Sequence, residues 1–173
     1  MKGEKETRGV KAAARRGRLR RYGPVVAWAC FVLFASSSNF SASNTSRVIR
    51  PLLVWLFPEI SEAALAQAHF LVRKAAHVAE YALLALLAAR AFRTSRRGAL
   101  ARRWRLASFA LVACVALADE YHQSFVPART GTVYDSLLDI AGGAAALVGA
   151  SLWLAARGRK WRKSGNTARP ADL

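Results

Sequence analysis

Long apolar stretches alternate along this chain with blocks of arginine and lysine, and that alternation limits the available folds more than any other feature. The blocks fall in residues 1–21, 90–105 and 157–169, each bordering an apolar run. Basic loops resist translocation and stay on the cytoplasmic side, so the pattern reads as a multi-pass membrane protein. Composition agrees, because 54% of the 173 residues are hydrophobic while the formal net charge is +17. A soluble nucleic-acid-binding domain of that charge would scatter Lys and Arg among polar residues along one face. Here topology accounts for the charge, and nucleic acid is excluded as a partner. Cys30 and Cys114 each sit in an apolar run, where they act as small hydrophobic residues, and they imply no disulfide framework.

The expected fold is all-α: an integral membrane bundle of about four transmembrane helices, with N and C termini cytoplasmic. Residues 1–21 are expected to form a disordered basic cytoplasmic tail, 22–157 the transmembrane domain, and 158–173 a second basic cytoplasmic tail. The first apolar segment, 22–40, is close to the roughly 20 residues that cross a bilayer, with Tyr22 and Trp28 as interfacial anchors. A cleaved leader would show the same order of basic region, apolar core and small residues at 35–38. The length of the basic region and the placement of both termini on one side favour a retained span. A short interfacial or re-entrant segment is expected at 52–57, between Pro51 and Pro58, because it is too short to span.

Ser61 followed by Glu62 reads as a helix start, with a hydroxyl cap and an acid in the first turn. That helix is expected to continue as the second span to about Phe92. The third starts at Trp104 or Leu106 and needs residues 119–124 to complete it, because its apolar part ends at Ala118. Pro127 and Gly131 mark an outer turn, and the fourth span runs from about Val133 to Ala156. Gly142, Gly143, Ala146 and Gly149 on that last helix form small-residue spacings that permit close helix approach. His69 stands apart from the other polar residues and is expected to be solvated.

Polar residues beside the spans need a reason, because a charge at the bilayer centre costs roughly 2.5 to 3.5 kcal/mol on insertion scales. On the second span Arg73, His77, Glu80 and Tyr81 fall along one helical stripe, with Lys74 at its edge. On the third, Asp119 and His122 are three apart and can share a direction, with Glu120 and Gln123 alongside. On the fourth, Asp135 and Asp139 are four apart on one face. All three groups lie at the outer ends of their helices, so they are expected to converge on a polar pocket facing away from the cytoplasm. Hydrogen-bonded polar residues are also used simply to pack membrane helices, at about 0.6 kcal/mol each.

Two runs make a family recognisable. The segment Arg73, Lys74, Ala75, Ala76, His77, Val78, Ala79, Glu80, Tyr81 resembles a signature of the VanZ-like family of bacterial membrane proteins. The run from Asp119 through Glu120, Tyr121, His122, Gln123 and Ser124 to Arg129, followed by Asp135, Asp139 and Gly142, is similar to that family's second signature. The likeness covers roughly 22–156. Ala128 departs from it, since family members often carry glycine before the arginine. The family's founder is associated with resistance to the glycopeptide teicoplanin, so the resemblance implies a multi-pass protein of the bacterial cytoplasmic membrane with a cell-envelope role, and supplies no reaction.

The expected partners are therefore the bilayer and a lipid or lipid-linked envelope substrate. Lys74, Glu80, Tyr81, Gln123 and Arg129 are the candidate binding residues, the cations holding a phosphate or carboxylate. His77, Asp119, Glu120, His122, Asp135 and Asp139 are the candidate catalytic set, with a histidine paired to an acid as general base. Asp119, Glu120, Asp135 and Asp139 would position that base or bind a divalent metal, but no signature such as H-E-x-x-H is present, so no metal ligand and no cofactor is assigned. A non-enzymatic binding or scaffolding protein, with a structural polar network, is the alternative. Coupled transport is disfavoured because the inner halves of the spans are apolar.

Overall fold

The computed structural model describes residues 2–36, 42–125 and 133–166. Among the described residues there are six helices and no strand: α1 (Lys2–Ala35), α2 (Ala42–Leu56), α3 (Glu62–Arg93), α4 (Gly98–Arg102), α5 (Trp104–Gln123) and α6 (Val133–Asn166). Ser61 caps α3 as its sequence predicts, in extended backbone with its hydroxyl accepting from Ala64 N at 3.2 Å. At the other end Arg90 and Arg93 complement the helix dipole, and the Arg90 carbonyl accepts both Thr94 Oγ1 at 2.8 Å and Thr94 N at 3.3 Å.

α3 is the central helix and packs on α6, α5 and α1. Its buried residues are Leu65 near the start, then Tyr81 and Leu84 followed by the small Ala85, Ala88, Ala89 and Ala91. α6 answers with Gly142 and Gly143 at the approach. A Cβ on Gly142 would lie 2.9 Å from Val78 Cγ1, and one on Gly143 would lie 2.7 Å from Val112 Cγ1. Gly149 meets nothing within 4 Å, so it has no part in that close approach.

The outside of the bundle differs from that of a water-soluble one. The interior combines Val32, Tyr81, Leu84, Val112 and several alanines with the polar Ser36, Ser108, Asp119 and Asp139, while Phe31, Phe34, Trp55, Leu117, Leu152 and Trp153 are exposed. Such a surface suits lipid, whose tails are as apolar as leucine and leave packing of small residues to hold helices together. α3 and residues Tyr134–Arg159 of α6 are each long and apolar enough to cross a membrane. At about 1.5 Å per residue, α3 extends roughly 48 Å. α1 has a basic N-terminal half, and α5 ends in a polar turn.

Four expectations differ from the structure. Residues 2–21 are helical and continuous with the apolar part of α1, and α6 runs on to Asn166. Ala, Arg, Lys and Leu are strong helix formers, and a helix already nucleated extends through them without a new nucleation cost. The segment 52–57 is not separate: residues 52–56 are the end of α2, which passes through Pro51, and Phe57 follows directly. Tyr22 and Trp28 face protein, with the Tyr22 hydroxyl 2.8 Å from Ser95 Oγ and Trp28 Nε1 donating to the Glu80 carbonyl at 2.9 Å. An aromatic with a polar handle is held where that handle finds a partner. His69 also departs from its expected solvation: it is half-buried, and its Nε2 is enclosed.

Candidate functional site

The buried face of α5 runs Ser108, Val112, Ala116, Asp119, Gln123, the spacing of one helical stripe. Asp119 is 2% exposed. Its Oδ2 accepts three hydrogen bonds, from Ser36 Oγ at 2.7 Å, Gln123 Nε2 at 2.8 Å and the Tyr81 hydroxyl at 3.3 Å. Those donors come from the end of α1, from α5 and from α3, so one carboxylate oxygen joins three helices. Asp119 Oδ1 is equally buried and accepts no hydrogen bond among the described residues.

Beside it, His77 of α3 turns Nδ1 toward Asp139 Oδ2 of α6 at 3.8 Å. One nitrogen of His77 and one oxygen from each of Asp119 and Asp139 all lie within 4.8 Å of one another. Asp139 is buried, while His77 keeps partial exposure. The centre of the site is thus one imidazole and two carboxylates supplied by three helices.

A charged rim lies next to this centre. Lys74 forms an ion pair with Asp135, their side chains 25% and 35% exposed, and its ammonium also sits 5.4 Å from the Phe70 ring centroid. Glu120 is half-buried and within electrostatic reach of Asp135, Asp119 and Lys74. Asp119, Asp135 and Glu80 all bear on Asp139, with Lys74 as the opposing charge. Carboxylates therefore outnumber cations among the described groups around the site.

The structure sorts the residues expected from sequence. His77, Asp119 and Asp139 come together, Lys74, Asp135 and Glu120 flank them, and Tyr81 and Gln123 serve Asp119 instead of facing open space. Glu80 holds Trp28 of α1 through its backbone carbonyl. His122 is exposed, about 60° around α5 from Asp119. Arg129 lies outside the described residues. Ser36 is the residue missed: it sits among small residues at the end of α1, yet it is 1% exposed and donates the shortest of the three bonds to Asp119. No local spacing marks it, because its partner is 83 residues away.

The family model described as VanZ/LLP1 matches residues 23–154. The chain belongs to the VanZ/LLP1 family. No curated protein and no solved structure gave a match. The VanZ/LLP1 region takes in every residue of the site and leaves the two basic ends outside it. Family membership, two apolar helices of sufficient length and the lipid-suited surface together indicate a membrane protein.

The partial exposure of the Lys74–Asp135 pair leads to a prediction for this VanZ/LLP1 chain. Ion pairs with access to solvent contribute about 0–1 kcal/mol. Lys74→Met is therefore expected to leave thermal stability of the purified protein within about 1 kcal/mol of wild type, while reducing function in cells as far as His77→Ala does. A large loss of stability in Lys74→Met would show the pair to be a packing element instead.

Proposed function

We propose that this protein crosses the bacterial cytoplasmic membrane four times, through the apolar part of α1, α3, α5 and α6, with both termini cytoplasmic. The basic residues at 1–21, 93–105 and 157–169 support that orientation by the positive-inside rule. The amphipathic α2 then lies at the outer surface, with its exposed Leu52 and Trp55 toward lipid. In this arrangement the polar centre sits in the outer leaflet.

There it binds or modifies a lipid-linked or headgroup-bearing envelope molecule. The observation that carries this reading is the meeting of His77, Asp119 and Asp139 from three helices beside a partly exposed lysine. An ammonium at the rim suits a phosphate or carboxylate on the headgroup. His77, facing Asp139, is the group placed to accept a proton. Tyr81, Gln123 and Ser36 fix the Asp119 carboxylate and so position it. The role proposed for Arg129 is a second contact with the anion, and a link to teicoplanin susceptibility is part of the proposal through the family alone.

The test compares envelope lipids of deletion, wild-type and His77→Ala strains by mass spectrometry, with teicoplanin susceptibility measured in the same strains. One lipid or lipid-linked species is expected to accumulate in the deletion and in His77→Ala strains alike, at normal protein abundance. Identical lipid profiles in all three strains would remove the reading. A scaffolding role is the second reading, favoured by the three-helix bonding of Asp119. It predicts that variants of the centre lose function only in step with abundance.

A further inference from the structure

We propose that His77, Asp119 and Asp139 form a binding site for one divalent transition cation, Zn2+ or Mn2+. The inference deepens the envelope-molecule reading and rests on it for its biological purpose. Three observations support the site independently of one another. The first is the donor geometry. Ligands bound at about 2.1 Å lie no more than about 4.2 Å apart, and His77 Nδ1 and Asp139 Oδ2 are 3.8 Å apart. The full set closes within 4.8 Å, so modest side-chain rotation completes it.

The second is the asymmetry of Asp119. Its Oδ2 takes all three hydrogen bonds while its buried Oδ1 takes none. A buried acceptor without a partner costs about 1–3 kcal/mol. Metal-ligating carboxylates show this division of labour, one oxygen on the ion and the other held by outer-shell donors. Ser36, Tyr81 and Gln123 are those donors. The third is charge: the Asp119 and Asp139 carboxylates are both buried, and the lysine beside them, Lys74, is already paired with Asp135. A divalent cation offsets that excess where water cannot.

The donor chemistry narrows the ion. Imidazole suits Zn2+ and other late transition metals, whereas carboxylates suit Mg2+, Ca2+ and Mn2+, so one imidazole with two carboxylates fits Zn2+ or Mn2+ better than Mg2+. Three protein ligands leave positions open, as sites that meet a substrate do. An anionic headgroup oxygen is the ligand such a position would accept.

The test uses the full-length protein in lipid nanodiscs, stripped with chelator and titrated with ZnCl2, MnCl2 or MgCl2 by calorimetry, with bound metal counted by mass spectrometry. About one Zn2+ or Mn2+ per chain is expected, bound far more tightly than Mg2+. Outer-shell changes alone weaken metal sites about 10–100-fold, so Asp139→Asn and His77→Gln are expected to lose more than about 100-fold in affinity. His69→Gln should bind as wild type does. If Asp139→Asn fails to insert, Asp139→Glu, which keeps the charge and lengthens the arm, should still insert and bind more weakly. Absence of stoichiometric metal on the folded wild-type protein overturns the site, and so does unchanged binding in His77→Gln and in the Asp139 variant that folds. Failure here with the lipid change of His77→Ala intact removes the cation and leaves the envelope reading. Stoichiometric metal with no lipid change removes that reading and leaves the cation as a structural one.

Discussion

Asp119→Ala is expected to destabilise the bundle by about 2–5 kcal/mol, while Asp119→Asn should cost less than about 1 kcal/mol and still abolish function. The alanine removes the acceptor for Ser36, Tyr81 and Gln123 at once and strands three donors in a closed interior. Interhelical hydrogen bonds in membranes average about 0.6 kcal/mol, so the two that cross helices, from Ser36 and Tyr81, set a floor of about 1 kcal/mol, with the bond from Gln123 within α5 adding to it. The desolvation of buried groups left unpaired raises the figure, at about 1–3 kcal/mol apiece in soluble proteins. Asparagine keeps a carbonyl oxygen where Oδ2 stands, so the three donors retain their partner. It gives up only the charge and the free Oδ1. Equilibrium unfolding of the purified variants in mixed micelles measures the first effect, and the envelope-lipid comparison measures the second. Equal stability of the two variants would mean that the three bonds hold nothing together.

The second large effect lies at the seam of α6 with its neighbours. Gly142→Ala is expected to cost about 1–3 kcal/mol by overpacking, and Gly142→Leu to prevent assembly. The added Cβ of Gly142 would stand 2.9 Å from Val78 Cγ1, 3.1 Å from the Val78 carbonyl oxygen and 3.4 Å from its Cα. Trimming Val78 to alanine removes only the first of those, so Val78→Ala should not rescue Gly142→Ala. Gly143 behaves differently. Its nearest neighbours are the two methyls of Val112, with the Tyr81 carbonyl oxygen at a comfortable 3.5 Å. Gly143→Ala should therefore recover most of its lost stability in combination with Val112→Ala. Gly149→Ala, with nothing within 4 Å, should gain up to about 1 kcal/mol from helix propensity. Gly142→Ala as stable as Gly149→Ala would show that the helices do not approach as described.

Much of the helix layout is legible because its signals are local. Ser61 with Glu62, the apolar runs and the arginine-rich ends each act within a few residues of where they stand. The helical character of 2–21 escaped because charge and low hydrophobicity point to disorder, while the extension depends on the helix that follows. In the site, the stripe on α3 and the pair on α6 could be placed from periodicity. Which flank of α5 turns inward could not. His122 lies about 60° short of a full turn from Asp119 and Gln123 about 40° past it, and only packing against α3 and α6 decides between them. Asp135 and Asp139 share a face as their spacing suggests, but one turn of helix separates a rim position from an interior one. The bond from Ser36 to Asp119 exists only once α1 has docked, so no pattern near either residue announces it. The convergence of His77, Asp119 and Asp139 is likewise a product of three packed helices, and no sequence motif for metals contains that combination.

Lys74 at the rim is already engaged by Asp135 and rests near the Phe70 ring. Any anion that reaches it takes part in an exchange, since the lysine must release one carboxylate to accept another group. A singly charged carboxylate would gain little from the swap, because it replaces like with like. A phosphate, with more charge and more acceptor oxygens, gains in proportion, and the freed Asp135 is left to reach for whatever cation or hydroxyl the incoming headgroup carries. Under the envelope-molecule proposal, the resting pair is a threshold that keeps weak anions from the site before anything deeper in the bundle is involved.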